Sequence, residues 1–209
     1  MTSILQNNNY HDYVIKDGQF VGNFDEMYQE CSDPWPESEE DLFNNPVASY
    51  TITCLRNYGI KKLFSIGIGK GLHANWLMSH VKGLEVEGCE LSQTAVDYCQ
   101  KQYPDIKAHC FDVKEFVDHD YDFDGILFRE CLWYILPQWD SIVEALKKRY
   151  QGKYCIIELS TYDNQQYGKE YFDGPDDVIA KFPFKILETL KHHTTPQQKQ
   201  GMIAIIGQI

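Results

Sequence analysis

The stretch Leu63-Phe-Ser-Ile-Gly-Ile-Gly-Lys-Gly-Leu-His73 decides the fold. It begins inside a short apolar run, Lys62–Ile66, which predicts a buried β-strand. The glycines Gly67, Gly69 and Gly71 follow at once, and a helical pattern begins directly after the third. Glycines at a strand-to-helix junction turn the chain tightly and let a ligand approach bare backbone at the start of a helix. The stretch therefore predicts the first strand, loop and helix of a ligand-binding α/β sheet.

Short apolar runs alternate with longer helical periods along the rest of the chain. Strands alternating with helices at this spacing indicate a parallel sheet with helices on both faces. We expect a Rossmann-like, doubly wound α/β fold with a seven-stranded sheet. The predicted strands are Lys62–Ile66, Leu84–Leu91, Ile106–Phe111, Phe123–Phe128, Tyr154–Leu159, Phe184–Leu190 and Met202–Gln208, and the predicted helices are Leu72–Val81, Gln93–Tyr103 and Trp139–Tyr150.

The two ends of the chain depart from this alternation. A polar loop of about ten residues, His192–Gly201, joins the last two strands, and such a loop permits an antiparallel hairpin, whereas a parallel return needs a longer crossover. We therefore expect the last strand to be antiparallel. Residues 161–181 form a polar, Tyr-rich insertion, and residues 1–50 form an acidic, aromatic N-terminal arm that we expect to act as a lid over a domain spanning 51–209.

Charge and composition exclude several classes of protein. The net charge is −12, of which residues 1–50 contribute −9 and residues 51–209 only −3, which argues against binding nucleic acid by phosphate neutralisation. No apolar run approaches the ~20 residues of a membrane span, and the N-terminus does not resemble a signal peptide, so we expect a cytoplasmic protein. The seven cysteines are scattered without a CxxC pair, so we expect buried free thiols and no metal site.

Two acidic residues follow the second and third predicted strands. Glu90 lies 23 residues after Gly67, a separation at which an acid can accept hydrogen bonds from ribose hydroxyls. Asp112 can accept from an exocyclic amine such as that of adenine. Either acid alone is equally compatible with a solvated strand end or a helix N-cap. Together with the glycines they predict a nucleotide-containing ligand at the carboxyl edge of the sheet, where open α/β sheets bind ligands.

A nicotinamide-dependent enzyme is the obvious alternative. Dinucleotide-binding loops prefer G-x-G-x-x-G, whereas here the third glycine is Gly71 and Leu72 holds the sixth place. The Tyr-x-x-x-Lys matches, Tyr58–Lys62 and Tyr103–Lys107, are not placed like a dehydrogenase active-site pair. This alternative is therefore less favoured than a cofactor with a single nucleoside.

Four segments together resemble the successive motifs of class I S-adenosylmethionine-dependent methyltransferases. They are Leu63–His73, Gly88-Cys-Glu90-Leu-Ser, Cys110-Phe-Asp112 and Phe123-Asp-Gly-Ile-Leu-Phe-Arg-Glu-Cys-Leu-Trp-Tyr-Ile135. The resemblance implies that the backbone of the glycine loop lies beside the methionine part of the cofactor, that Glu90 holds the ribose and that Asp112 holds the adenine. Phe111 and Glu130 are further candidates for cofactor binding. One position departs from the family, which usually has an acid where this chain has Ser65.

The arm shows a shorter resemblance. Met27-Tyr28 and Asp33-Pro34-Trp35 are similar to the entry segment of nodulation-type sugar N-methyltransferases, in which the arm closes over the cofactor. This implies a small-molecule acceptor such as a sugar.

Methyl transfer from a sulfonium needs proximity, orientation and an unprotonated acceptor, and a base helps when the acceptor carries a proton. Glu130 could orient the methionine amine or an acceptor group. His192 or His193 could be the base, with one of the two facing the site because adjacent strand residues point to opposite faces. We interpret His73 as a helix-packing residue rather than the base. The aromatic candidates for substrate binding are Tyr13, Tyr28, Trp35, Trp133, Tyr134 and Tyr162.

The sequence therefore predicts an enzyme that transfers a methyl group from S-adenosylmethionine to N or O of a small molecule, such as a sugar or another biosynthetic intermediate, and releases S-adenosylhomocysteine. Nucleic acid, membrane and metal are not expected as partners, and the oligomeric state stays open. Two alternatives remain: an inactive methyltransferase-like scaffold subunit, which Ser65 favours, and a protein or RNA methyltransferase that acts with a partner.

Overall fold

The computed structural model describes residues 11–16, 19–31, 33–162, 167–168, 170–195 and 198–209. The helices are α1 His11–Val14, α2 Phe24–Glu30, α3 Glu39–Asn44, α4 Pro46–Asn57, α5 Leu72–His80, α6 Gln93–Gln102, α7 Val113–Phe116, α8 Leu132–Ile135, α9 Trp139–Arg149 and α10 Pro175–Ala180, with a 3₁₀ turn at Leu136–Gln138. The strands are β1 Ile15–Lys16, β2 Gln19–Phe20, β3 Lys62–Ile66, β4 Glu85–Glu90, β5 Lys107–Cys110, β6 Gly125–Arg129, β7 Tyr154–Tyr162, β8 Lys185–Thr195 and β9 Gln198–Gln208.

Seven strands form one mixed sheet in the order β5-β4-β3-β6-β7-β9-β8. The pairs from β5 to β7 are parallel, and β9 lies antiparallel between β7 and β8. The predicted Rossmann-like sheet with a reversed last strand is therefore confirmed. The strands β1 and β2 form a separate small hairpin in the arm.

The predicted loop between the last two strands is wrong. β8 continues to Thr195 and β9 begins at Gln198, so most of the segment His192–Gly201 lies in paired strands. β7 also continues to Tyr162, which pairs with Gln200. The three strands extend together past their predicted ends, and backbone pairing joins them there. The polar ends of β7, β8 and β9 are therefore strands, although their amino-acid composition does not predict strands.

Successive residues of the central strands pack into two hydrophobic cores on opposite faces of the sheet, because side chains alternate between the faces of a β-strand. On β6, Ile126 and Phe128 pack towards α9, whereas Leu127 packs with residues of α4, α5 and α6. All three are buried. The sheet is thus covered on both faces, and its carboxyl edge remains as the place where loops can form a site. None of the described helices is long and apolar enough to cross a membrane.

The arm is fastened to the start of α6. Met27 and Tyr28 pack in an apolar cluster that includes Ala95. The carboxylate of Asp25 accepts hydrogen bonds from the Ser92 hydroxyl at 2.8 Å and from the backbone N–H of Thr94 at 2.9 Å. These contacts place the arm beside the carboxyl end of β4. The predicted boundary of the arm, at residue 50, lies inside α4, and the division into arm and domain stays a prediction.

The cysteines are free thiols, and six of them are buried as expected. Cys110 is exposed, which corrects the prediction for that residue. It lies at the end of β5, the edge strand of the sheet, where one side of the strand has no neighbouring strand.

Candidate active site

A cavity of about 1480 Å³ opens at the carboxyl ends of the parallel strands and is covered by the arm. The elements that line it include the glycine loop, the ends of β4, β5 and β6, and the segment of the arm from Phe20 to Glu37. Ligand pockets are commonly about 300–1,000 Å³. The cavity is therefore large enough for a nucleotide-sized cofactor together with a second small molecule.

The glycine loop has a backbone that only glycine adopts readily. Gly67, Gly69 and Gly71 have φ angles of +66°, +56° and +85°. A Cβ atom at Gly71 would lie 2.4 Å from the sulfur of Cys99, so a side chain is also excluded by packing. Because α5 begins directly after this loop, its free backbone N–H groups lie at the cavity wall.

Glu90 lines the cavity beside this loop. Its side chain is buried, and its carboxylate accepts three backbone hydrogen bonds: from Gly69 at 3.0 Å, from Leu91 at 2.8 Å and from Ser92 at 3.2 Å. Burial raises the pKa of this carboxyl, and the three hydrogen bonds oppose that shift. A carboxylate has about four acceptor positions, so one remains for a ligand hydroxyl. Glu90 thus both holds the loop and can bind a ribose.

Asp112 lies at the next strand end and is the N-cap of α7. One of its oxygens accepts from the backbone N–H of Lys114 at 3.0 Å, and Glu115 completes a capping box. The residue is half-buried and lines the cavity together with Phe111. The capping role and the cofactor role, which the sequence left as alternatives, are therefore compatible in this geometry.

Glu130 follows β6 and has a strained backbone, with φ at +52°. Its two carboxylate oxygens accept from the backbone N–H of Ser160 at 3.0 Å and from the Ser160 hydroxyl at 2.9 Å. Burial raises the pKa of the Glu130 carboxyl, and the bonds from Ser160 and the nearby Arg129 charge partly offset that rise. Glu130 lines the cavity.

A network of charged side chains lies next to Glu130. Arg129 and Glu158 are paired neighbours on β6 and β7, and the guanidinium Nε donates to the Glu158 carboxylate at 3.2 Å. The hydroxyl of Thr51 on α4 donates to the other oxygen of Glu158 at 2.5 Å. Arg129 also forms an ion pair with Glu37 of the arm. The network therefore links the sheet to the arm through the Arg129 guanidinium and to α4 through the Glu158 carboxylate.

His73 lies next to this network in the first turn of α5. Its Nε2 atom is buried without a hydrogen-bond partner and lies 3.9 Å from Glu158. Burial and the charge of Arg129 hold the pKa of His73 well below its usual value, so the imidazole is neutral at pH 7. It stacks on Trp76 and also lines the cavity. His73 therefore packs as expected, but it also presents a polar atom at the site.

The structure brings most of the predicted residues together. Gly67, Gly71, Glu90, Phe111, Asp112, Glu130, Tyr28, Trp35, Trp133, Tyr134 and Tyr162 line the cavity, and Gly69 is joined to it through Glu90. Two other candidates lie elsewhere. Tyr13 does not line the cavity and donates to Glu30. His192 lies on the edge strand β8, two strands beyond β7, and does not line the cavity. The side chain of His193 lies outside the described part of the structure.

Sequence reasoning missed the buried network and Ser160. One signal was available: Glu158 is an acid within the apolar run Tyr154–Leu159. A charge inside a buried strand requires a partner, and Arg129 ends the adjacent strand.

A family model described as a methyltransferase domain matches residues 64–153, which include the glycine loop, Glu90, Asp112 and Glu130. Residues 64–153 are therefore similar to a methyltransferase domain. The match confirms the predicted class I methyltransferase fold, the enzyme class and S-adenosylmethionine as the cofactor of that class. No curated protein matches the chain in sequence.

Solved structures with the same fold include several methyltransferases. N-methyltransferase NodS from Bradyrhizobium japonicum WM9, in complex with S-adenosylhomocysteine, is 18% identical, with a TM-score of 0.58, over 84% of this chain and 92% of that one. TehB from Haemophilus influenzae is 13% identical, with a TM-score of 0.60, over 84% of this chain and 66% of that one. Geranyl diphosphate C-methyltransferase from Streptomyces coelicolor A3(2), in complex with Mg²⁺, geranyl diphosphate and S-adenosylhomocysteine, is 10% identical, with a TM-score of 0.56, over 84% and 85%. At these identities the similarity is one of fold.

Proposed function

We propose that this methyltransferase transfers the methyl group of S-adenosylmethionine to N or O of a small molecule, such as a sugar or another biosynthetic intermediate. The observation that carries the proposal is one cavity lined by two chemically different groups of residues. The first group is the glycine loop with Glu90 and Asp112, and the second is Glu130 with several aromatic side chains. The volume of about 1480 Å³ exceeds that of a single-ligand pocket and leaves room for an acceptor.

The glycine loop and the two acids Glu90 and Asp112 fit S-adenosylmethionine as a ligand. The backbone of the glycine loop would lie along the methionine part, the free acceptor position of Glu90 would receive a ribose hydroxyl, and Asp112 with Phe111 would border the adenine. When bound, S-adenosylmethionine supplies an electrophilic methyl carbon for in-line displacement. The chain's own part is to hold the acceptor in line with that carbon and to exclude water.

For the acceptor, Trp35, Trp133, Tyr134 and Tyr162 supply flat apolar surfaces with polar edges, and Tyr28 adds another such surface beside Gly69 of the glycine loop. Trp133 is fixed in place by a hydrogen bond from its indole N–H to the carbonyl oxygen of Ser160 at 3.0 Å. Such surfaces suit sugars and other small polar rings. We further propose that residues 1–50 form the lid, with the ion pair from Glu37 to Arg129 holding it closed.

The alternative of an inactive scaffold rests on Ser65. This serine is buried within β3 and supplies no carboxylate to the site. Carboxylates are nevertheless present at the half-buried Glu130 and the buried Glu158, so the site does not lack anionic groups. This observation favours an active enzyme.

The test is calorimetric binding of S-adenosylmethionine and S-adenosylhomocysteine, followed by measurement of S-adenosylhomocysteine released with ethanolamine, glucosamine or glucose as acceptor. The proposal expects binding of both nucleosides and acceptor-dependent release. A folded wild-type protein that binds neither nucleoside would overturn it. Turnover only when a protein or RNA fraction is added would instead support methylation of a macromolecule.

A further inference from the structure

The backbone of Glu130 is the first observation that points beyond cofactor binding. Among the described residues it is the only one other than glycine with a positive φ angle. A residue with a side chain persists in this conformation only when its surroundings fix it, and such residues concentrate at functional sites. Here the backbone N–H donates to the carbonyl oxygen of Glu158 at 2.9 Å, which fixes the turn after β6.

The second observation is the state of its carboxylate. Ser160 gives one hydrogen bond to each oxygen, so the carboxylate is held at a fixed place while about two of its four acceptor positions remain open. Glu90 differs, because three of its positions are taken by backbone N–H groups. The Glu130 carboxylate is therefore oriented and still able to accept hydrogen bonds from a ligand in the cavity.

The third observation is the charge of the cavity. Six carboxylates line it, against the three cations Lys70, Lys114 and Arg129, and Glu158 lies directly behind Arg129. A cleft dominated by one sign of charge concentrates ligands of the opposite sign. This cavity favours a cationic or neutral acceptor over a phosphorylated one.

We propose that Glu130 selects a primary or secondary amine as the methyl acceptor by accepting a hydrogen bond from the acceptor N–H. The inference rests on the proposed function and assigns the substrate class of the same site. Trp133 and Tyr134, which follow Glu130 in the cavity wall, would contact the carbon skeleton that carries the amine.

The methyl transfer conserves atoms and charge. A neutral amine nitrogen uses its lone pair to form the new C–N bond, and the electron pair of the breaking C–S bond stays on sulfur, which becomes a neutral thioether. The nitrogen then carries a positive charge and one proton too many, and that proton passes to the Glu130 carboxylate and from there to water.

Sinefungin tests this assignment without knowledge of the natural acceptor. In this analogue a carbon bearing an amine replaces the sulfonium, so the amine lies where the methyl group meets the acceptor. We expect the wild type to bind sinefungin at least about tenfold more tightly than S-adenosylhomocysteine by calorimetry. Glu130→Gln should reduce that preference about tenfold or more while its affinity for S-adenosylhomocysteine changes less than about threefold. Asp33→Asn, which neutralises another carboxylate of the cavity, is the matched control and should keep most of the preference.

The binding measurements can overturn the role proposed for Glu130 in several ways. An unchanged sinefungin preference in Glu130→Gln overturns the proposal, and so does an equal loss of preference in Asp33→Asn, because position would then not matter. A comparable loss of affinity for S-adenosylhomocysteine would assign Glu130 to the methionine part of the cofactor instead. If Glu130→Gln does not fold, Ser160→Ala, which removes one of the two bonds that orient the carboxylate, should show an intermediate loss of preference, and no loss there refutes the inference. A wild type that binds no nucleoside refutes the proposed function itself.

Discussion

Replacement of Glu90 by glutamine should weaken both the fold and the cofactor site. The carboxylate accepts backbone N–H groups on both oxygens, from Gly69 on one side and from Leu91 and Ser92 on the other. A glutamine keeps only one oxygen, which would face the two donors, and its NH₂ group would then face the N–H of Gly69. One charge-assisted bond is lost, at about 1.5–3 kcal/mol, and a buried donor is left unpaired.

The loss is partly offset because the variant no longer buries a charge, whose desolvation is what raises the pKa of Glu90. We therefore expect Glu90→Gln to lower the free energy of unfolding by about 2 kcal/mol, which is about 4–8 °C in Tm for a chain of this size. The oxygen that would meet the ribose is replaced by a donor, so affinity for S-adenosylmethionine should fall about 10- to 100-fold. Calorimetric titration and a thermal melt measure the two effects.

Asp112→Asn is the matched control. The asparagine oxygen can still cap α7, and the residue is half-buried, so Tm should change by less than about 2 °C while cofactor affinity still falls. The reasoning is refuted if Glu90→Gln binds the cofactor as the wild type does, or if Asp112→Asn lowers Tm as much as Glu90→Gln.

Three further predictions concern the arm and the buried network. His73→Phe should leave Tm unchanged or raise it, because it removes a buried polar atom that has no partner, and a fall of more than about 2 kcal/mol in urea unfolding would show that the imidazole is bonded. Glu37→Gln breaks the ion pair with Arg129 and should speed proteolysis of the arm in the free protein, and an unchanged cleavage rate would exclude the lid contact. Asp25→Asn removes a carboxylate whose pKa is lowered by hydrogen bonds from Thr94 and Ser92. The wild type should therefore exceed this variant in stability at neutral pH, and the difference should shrink as the pH falls from the usual carboxyl pKa near 3.8 through the lowered native pKa; a difference that does not shrink as the pH falls below 3.8 would refute this origin.

The central fold was predictable because its signals are local. The strand Lys62–Ile66 and the helix beginning at Leu72 are found as predicted, since an apolar run, three glycines and a helical period follow one another without interruption. The helix Trp139–Arg149 differs from the prediction by one residue. Strand and helix signals of this kind are short-range, so one sequence is enough to interpret them.

The remaining features depend on contacts between distant parts of the chain. Glu37 and Arg129 are 92 residues apart and meet only because the arm folds over β6. His192 was expected near the site as a strand-end base, but the extension of β8 and β9 past their predicted ends places it on the edge strand. Polar strands held by backbone pairing leave no hydrophobic pattern, so composition alone could not predict them.

The most direct test of the account is a crystal structure of the protein with S-adenosylhomocysteine. We predict that the ribose hydroxyls lie within hydrogen-bond distance of Glu90, that the adenine lies beside Asp112 and Phe111, and that the sulfur faces Glu130 and the aromatic side chains that follow it. A nucleoside bound elsewhere, or one whose ribose makes no contact with Glu90, would contradict it.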